Sequence, residues 1–278
     1  MKKSKAIITS LIILSITLAI TPPAISQIGT YTFHGTSGDE KILKVRTVNN
    51  QSLEDLFGPS WVSVIEIFGA GAANVGARKK SLVTDVNFSA EFDTAFGVYD
   101  VVTYNTSNWD WTTGTFNATP DSIGDIVISF YDPTNLTTYV NALYTLFYGI
   151  PYNISMHTAG ANLAQLPTSV AQYLGAFVWE PKWGNVGNTV VHNAEASDVA
   201  FFWGHTYLED CTETWTYDET YGAWIGYKIQ DNETNTIYEF SIELPSTAAI
   251  PGFETSILLG VSISASVGLI FVIMKKKR

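Results

Sequence analysis

The feature that most constrains this chain is an uncharged apolar segment near its C-terminal end. Residues 255–274 contain no Asp, Glu, Lys or Arg, and a helix of about 20 apolar residues is long enough to cross the hydrocarbon core of a bilayer. Four basic residues, 275–278, follow directly. Because basic residues beside a membrane span stay in the cytoplasm, the pattern predicts a transmembrane helix at 255–274, a cytoplasmic tail at 275–278 and an extracellular position for everything before them.

The N-terminal end has the organisation of a secretory signal peptide. Three lysines lie within residues 1–5, and an uncharged apolar run covers residues 6–20. Two prolines end that run, and Ala24-Ile25-Ser26 offers small residues at the spacing that signal peptidase cleaves. We therefore predict a signal peptide at 1–26 and an extracellular domain at 27–245. An uncleaved signal anchor is the alternative.

A short linker, residues 246–254, joins the predicted domain to the predicted span and contains Pro251-Gly252-Phe253. This tripeptide, followed by the apolar run and the basic end, resembles the PGF-type C-terminal sorting signal of archaeal cell-surface proteins. The resemblance implies that Pro251, Gly252 and Phe253 are recognised by an archaeosortase, which removes the hydrophobic tail and leaves a lipid-anchored protein. That family carries a long Thr/Pro-rich stalk before the motif, whereas this chain has only a few residues there. The second interpretation is therefore that segment 255–274 remains as a membrane anchor.

The charge and cysteine content exclude several classes of protein. Without the two termini, eight basic and 25 acidic residues remain, so the predicted extracellular domain carries a charge near −17. A nucleic-acid-binding domain needs a basic surface, which this composition does not supply. One cysteine, Cys211, excludes an internal disulfide framework and zinc sites built from cysteine pairs.

Seven asparagines stand in the Asn-x-Ser/Thr acceptor pattern of N-glycosylation. They are Asn50, Asn87, Asn105, Asn117, Asn135, Asn153 and Asn232. Together with the predicted export signal they indicate a surface glycoprotein. The stretch between Asn153 and Asn232 contains no acceptor but holds several tryptophans, His192, His205 and Cys211. We expect it to form either the core of the domain or an interaction face.

The pattern of apolar residues predicts one α+β domain that is rich in sheet. The predicted strands before the last hairpins cover residues 41–48, 61–68, 81–93, 96–104 and 126–130, with a short helix as the alternative for 61–68. Apolar residues recur every three or four positions from Asn135 to Tyr148 and predict the main helix. Alternating residues from 212 to 244, interrupted by two turns, predict an antiparallel meander packed on that helix. The basic residues 78–80 are predicted to lie at the end of a loop.

A second resemblance concerns this predicted meander. Residues 214–224 read Thr-Trp-Thr-Tyr-Asp-x-x-x-Gly-x-Trp, which is similar to the terminal hairpins of uncharacterised archaeal surface-anchored domains. The similarity implies a shared fold and no particular activity.

The sequence contains no recognisable catalytic or metal-binding motif. His205 and Glu209 would share a face and reach one metal ion only within a helix, and the local pattern favours a strand. Residues 231–235 offer oxygen atoms at alternate positions but lack the glycine and the distal glutamate of a calcium loop. We therefore predict no catalytic residue, no metal ligand and no cofactor.

Trp109 and Trp111 are the candidate binding residues. In a strand both rings would point to one side, where an exposed pair would stack on a sugar ring or a partner surface and a buried pair would belong to the core. The predicted function is a non-catalytic interaction, ligand-binding or envelope-structure protein whose partner is a surface protein, a polysaccharide or an apolar ligand. The alternative is a surface-anchored hydrolase of envelope glycans or peptides, which a deep cleft gathering His192 or His205 with carboxylates would favour.

Overall fold

The computed structural model describes residues 26–28, 31–65, 69–149, 154–200 and 205–243. The predicted linker, membrane span and basic tail lie outside these ranges, as does the predicted signal peptide apart from Ser26. None of the helices within the described ranges has the length and apolar character needed to cross a membrane.

The described residues are dominated by one antiparallel sheet. The strands are β1 (Ser26–Ile28), β2 (Tyr31–Phe33), β3 (Glu40–Val48), β4 (Arg78–Thr94), β5 (Gly97–Thr112), β6 (Ser122–Phe130), β7 (Trp183–Val186), β8 (Thr189–Ala194), β9 (Cys211–Tyr217), β10 (Trp224–Asp231) and β11 (Thr236–Ile242). Nine of them form a single sheet in the order β6–β5–β4–β3–β11–β10–β9–β8–β7, and β1 pairs with β2 separately. Strand β11, the last one among the described residues, therefore lies in the middle of the sheet.

The helices are short except for one. They are α1 (Asn50–Phe57), α2 (Trp61–Ile65), α3 (Pro133–Tyr148), α4 (Met156–Ala159) and α5 (Val170–Gly175), with a 3-10 turn at Gly160–Leu163. Helix α3 begins where the Asp132 carboxylate accepts a hydrogen bond from the backbone of Thr134, and Pro133 fits the first turn because it lacks an N–H. Gly149, at φ 72°, ends the helix in the left-handed conformation.

Helix α5 contacts both edges of the nine-stranded sheet. The Tyr173 hydroxyl donates to the carbonyl of Phe130 in β6 over 2.7 Å. The Asn185 side chain in β7 donates to the carbonyl of Ala171 over 3.4 Å. Because β6 and β7 are the two ends of the strand order, the sheet must curl around α5.

Aromatic side chains fill the space between the curled sheet and the helices. The Tyr139 ring of α3 lies 5.6 Å from Phe130 and 5.4 Å from Phe92. The Tyr173 ring of α5 lies 4.9 Å from Tyr31. Such ring pairs stabilise a core beyond the area that they bury.

The predicted sheet-rich α+β class is confirmed, and so are the main helix and the final antiparallel meander, which is β9–β10–β11. The predicted packing of the meander on that helix is wrong, because α3 contacts β6 and places Tyr139 against Phe92 of β4 and Phe130 of β6. The strand predicted at 61–68 is wrong and the alternative, a short helix, is confirmed for the described part of this segment, which forms α2. Trp61 N–H donates to the Gly58 carbonyl, and the Ser63 hydroxyl donates to the Ser60 carbonyl. These local bonds stabilise a helical turn in a sequence rich in β-branched residues.

The loop predicted at 78–80 is also wrong. Arg78 begins β4, and Lys80 lies opposite Ile42 of β3 and Trp109 of β5. All three side chains are partly buried. Arg78 lies 3.5 Å from the carboxylate of Glu243 and Lys80 lies 3.6 Å from that of Glu40, whereas burial lowers the pKa of Lys79.

Candidate functional site

A buried carboxylate lies at the centre of β9. The residues of β9 alternate, and Cys211, Glu213, Trp215 and Tyr217 are all buried. Glu213 is 1% exposed. One of its oxygens lies 3.0 Å from Nδ1 of His192, and the other accepts a hydrogen bond from the Tyr227 hydroxyl. Both oxygens are therefore occupied, as a buried carboxylate requires.

The register of the sheet brings these three side chains together. His192 in β8 lies directly opposite Glu213, and Ile229 in β10 lies opposite it on the other side. Tyr227 is two residues before Ile229 and points to the same face. Three neighbouring strands thus hold the Glu213 cluster, defined here as His192, Glu213 and Tyr227.

A second set of contacts connects the Glu213 cluster to the surface. The Trp183 ring stacks on His192 with centroids 3.9 Å apart and an interplanar angle of 2°. Asp198 lies 3.9 Å from Nε2 of His192 and accepts a 2.8 Å hydrogen bond from Lys182. Partial burial is the largest single influence on Asp198 and would raise its pKa. The hydrogen bonds from Lys182 and from the backbone N–H of Glu195, together with the positive charge of Lys182, outweigh burial and hold that pKa below its usual value.

Two further groups beside Glu213 remain neutral. Burial raises the pKa of the Cys211 thiol well above its ordinary value, and the nearby Glu213 adds to the shift. Burial and Glu213 likewise raise the pKa of the Tyr207 hydroxyl. A protonated thiol is a poor nucleophile, so this geometry does not activate Cys211.

The Glu213 cluster is closed to solvent. His192 is 3% exposed, Glu213 1% and Tyr227 2%. The two carboxylates near His192 belong to the residue types of acid–base catalysis. Glu213 and His192 are buried in this conformation, and only the Asp198 side chain, 23% exposed, is open to solvent. The arrangement is suited to fixing β8, β9 and β10 against one another.

The opposite face of the same strands carries an open groove of about 280 Å³. It lies around Gly226, which pairs with Thr216 on one side and Ser241 on the other. The lining residues are Thr214, Thr216, Ile225, Gly226, Tyr227, Lys228, Glu239, Phe240, Ser241 and Ile242. A glycine inside a strand has no side chain and leaves space above the backbone. We call the space above this glycine the Gly226 groove, and the backbone of Gly226 forms its floor.

Basic residues surround the Gly226 groove. Lys228 lines it, and Arg46 borders it by donating from Nε to the Ser241 hydroxyl over 2.9 Å and from Nη2 to the Ile242 carbonyl over 2.7 Å. Neither residue forms an ion pair among residues 31–243 as described. On the neighbouring strands Lys44 lies 2.9 Å and Arg78 3.5 Å from the carboxylate of Glu243.

Trp109 and Trp111 do not form an exposed pair. Trp109 is 6% and Trp111 3% exposed. The Lys80 ammonium lies 3.7 Å from the centre of the Trp109 ring, whereas Trp111 packs 5.5 Å from Phe240 in the core. A register shift between Arg78 and Lys80 in the β4–β5 pairing interrupts the simple alternation, so the two rings have different surroundings and neither offers a free stacking surface.

Most of the predicted glycosylation sites lie at the surface. Asn50, Asn87, Asn117 and Asn232 are exposed, Asn105 and Asn135 are partly exposed, and Asn153 lies outside the described residues. In the acceptor-free stretch, Trp183, His192, Cys211 and Trp215 are buried. That stretch therefore supplies core on one face of the sheet, and its strand β9 supplies Thr214 and Thr216 to the groove on the other.

The remaining candidates have ordinary local roles. His205 is partly exposed and lies in a loop, as does Glu209. The Asp231 carboxylate accepts backbone hydrogen bonds from Glu233 and Asn235, so its turn is closed from within the chain. Across the described ranges no three His, Cys, Asp or Glu side chains are grouped in a way that would hold a metal ion.

Sequence reasoning missed Glu213, Gly226 and Lys228, although two signals were present. Glu213 occupies an inward position between Cys211 and Trp215 in an alternating strand, where a carboxylate requires a buried partner. Gly226 interrupts a β-branched and aromatic strand, which marks close approach of another group.

Comparison with known proteins gives no match: no protein-family model, no curated protein and no solved structure is similar to this chain.

Proposed function

We propose that this chain is a membrane-anchored extracellular glycoprotein whose folded domain binds a surface partner without catalysing a reaction. The observation that carries the non-catalytic part is the closure of the Glu213 cluster, whose members are at most 3% exposed. The partner is a surface protein, a polysaccharide or an apolar ligand. The open face of the sheet, with its hydroxyl-bearing and charged side chains, supports a polar partner.

The extracellular position rests on the two apolar termini and the acceptor asparagines. Residues 1–26 act as the export signal, and residues 255–274 with the basic tail 275–278 act as the anchor. Pro251, Gly252 and Phe253 mark the processing site in this proposal. The exposure of Asn50, Asn87, Asn117 and Asn232 supports glycan attachment, because a glycan needs an accessible asparagine.

A hydrolase of envelope glycans or peptides is the second candidate. The observation in its favour is that His192 lies between the carboxylates of Glu213 and Asp198, at 3.0 and 3.9 Å. For catalysis, Trp183 would have to leave His192 and open a path to it. A loss of hydrolytic activity in His192→Ala, with folding unchanged, would favour this candidate over ours.

Intact-mass spectrometry of the protein purified from its own membranes tests the proposed location. A mass without residues 1–26 and without the tail after residues 251–253, with added lipid and glycan, supports a processed surface glycoprotein. A mass that keeps residues 255–278 supports a single-pass anchor. A full-length mass without glycan contradicts export and glycosylation together.

A further inference from the structure

The size and lining of the Gly226 groove point to a small polar ligand unit. At about 280 Å³ the groove is just below the usual size range of small-molecule sites, so it suits one or two sugar units better than an element of a folded protein. Thr214, Thr216 and Ser241 present hydroxyl groups, which both donate and accept hydrogen bonds. The hydroxyl groups of a sugar are their natural partners.

The charges around the groove specify an anionic sugar. Of the eight basic residues between 27 and 245, five lie on this face of β3, β4 and β10: Lys44, Arg46, Arg78, Lys80 and Lys228. Glu40 and Glu243 form ion pairs with three of them. Glu239 lies directly opposite Lys228, so these five basic residues are matched by three acidic ones, and Arg46 forms no ion pair within the described part of the chain. In a domain with a charge near −17, this local excess of positive charge attracts anions.

A carboxylate fits this arrangement better than a more highly charged group. Arg46 retains donors beyond the two that it uses on Ser241 and Ile242, and guanidinium groups bind planar carboxylates well. Glu239 lies directly opposite Lys228 and would repel groups with several negative charges.

We propose that the Gly226 groove binds the carboxylate-bearing sugar units of an acidic polysaccharide, with Arg46 and Lys228 contacting the carboxylate and Thr214, Thr216 and Ser241 contacting the hydroxyl groups. This inference rests on the proposed function in one respect, namely that the domain is displayed where such polymers occur.

Isothermal titration calorimetry of the full-length protein in detergent micelles tests the proposal, with polygalacturonate as the probe, dextran as a neutral polymer and polyglutamate as an anionic polymer without sugar. We expect binding of polygalacturonate that weakens several-fold in 0.5 M salt, because salt screens exposed charges. Equal binding of dextran, or equal binding of polyglutamate, would overturn the proposal.

Variants locate the binding site. Lys228→Gln and Arg46→Gln should each weaken binding about threefold, as expected for one exposed charge pair, and Glu239→Gln should strengthen it about twofold. Gly226→Val should weaken binding at least tenfold by filling the groove, and a Cβ there has only ordinary contacts, the nearest at 3.5 Å from the Phe240 carbonyl. Gly184→Val is the matched control, since a Cβ at Gly184 in β7 meets nothing within 4 Å. Unchanged binding by Gly226→Val would overturn the assignment.

Two results separate this proposal from the proposed function. If polygalacturonate is bound and shortened, the non-catalytic role fails while the groove assignment stands. If intact mass supports an anchored glycoprotein but no polymer binds, the groove assignment fails alone. Sedimentation that shows self-association through the groove, abolished by Lys228→Glu, would assign it to a second copy of the chain and overturn the polysaccharide.

Discussion

Replacing Glu213 by alanine is the sharpest test of the Glu213 cluster. The substitution removes the acceptor of the Tyr227 hydroxyl and the partner of His192 Nδ1 in a region that is at most 3% exposed. Each buried polar group that loses its partner costs about 1–3 kcal/mol. With the void left by the side chain, the free energy of unfolding should fall by about 3–5 kcal/mol, the range measured when one member of a buried pair is removed.

Urea denaturation followed by tryptophan fluorescence measures this change, with Trp183 and Trp215 near the cluster as reporters. Glu239→Ala is the matched control, because Glu239 lies on the neighbouring meander strand but faces the open groove. It should cost less than about 1 kcal/mol, as surface substitutions usually do. A loss below 1 kcal/mol for Glu213→Ala, or a loss equal to that of Glu239→Ala, would refute the reasoning.

Three further predictions follow from burial and backbone geometry. Because burial raises the pKa of the Cys211 thiol, the native protein should resist iodoacetamide at pH 8.0 while the urea-unfolded protein reacts, as mass spectrometry would show; rapid native labelling would contradict this. Burial lowers the pKa of Lys41 from 10.5 to about 8, so the folded state favours the neutral amine. The free energy of unfolding should therefore rise from about pH 8 towards pH 10.5, with a flatter profile in Lys41→Met. A Cβ on Gly222, which has φ +71°, would lie 1.8 Å from the Leu166 carbonyl oxygen. Gly222→Ala should therefore lower the thermal midpoint much more than Gly187→Ala, which shares a positive φ but has open space.

Local sequence patterns were sufficient to predict the main helix and the final meander. They were not sufficient where contacts across the sheet determine the structure. Helix α3 has a periodic apolar face, but it begins at Pro133, two residues before the predicted start at Asn135, because Asp132 caps its first turn. The β7–β8 hairpin was missed despite its two-residue Gly187-Asn188 connection, a recognised hairpin signal.

The candidate sites were less predictable because they depend on register. Nothing in the local sequence places His192 opposite Glu213, since the two residues are 21 positions apart and lie on different strands. The groove likewise needs Thr216, Gly226 and Ser241 in one row across three strands. A single-residue shift would move these side chains to the other face.

The central position of β11 has a consequence for the order in which the fold is completed. Strand β11 pairs with β3 on one side and β10 on the other, and the bond between Lys44 and Glu243 joins residues 199 positions apart. Without β11 the sheet divides into two four-stranded parts, β3–β6 and β7–β10. Because the chain is synthesised from its N-terminus, β3 has an unpaired edge until β11 has been made. A truncation before Thr236 should leave exposed edges on β3 and β10, and both would be prone to pair with other chains.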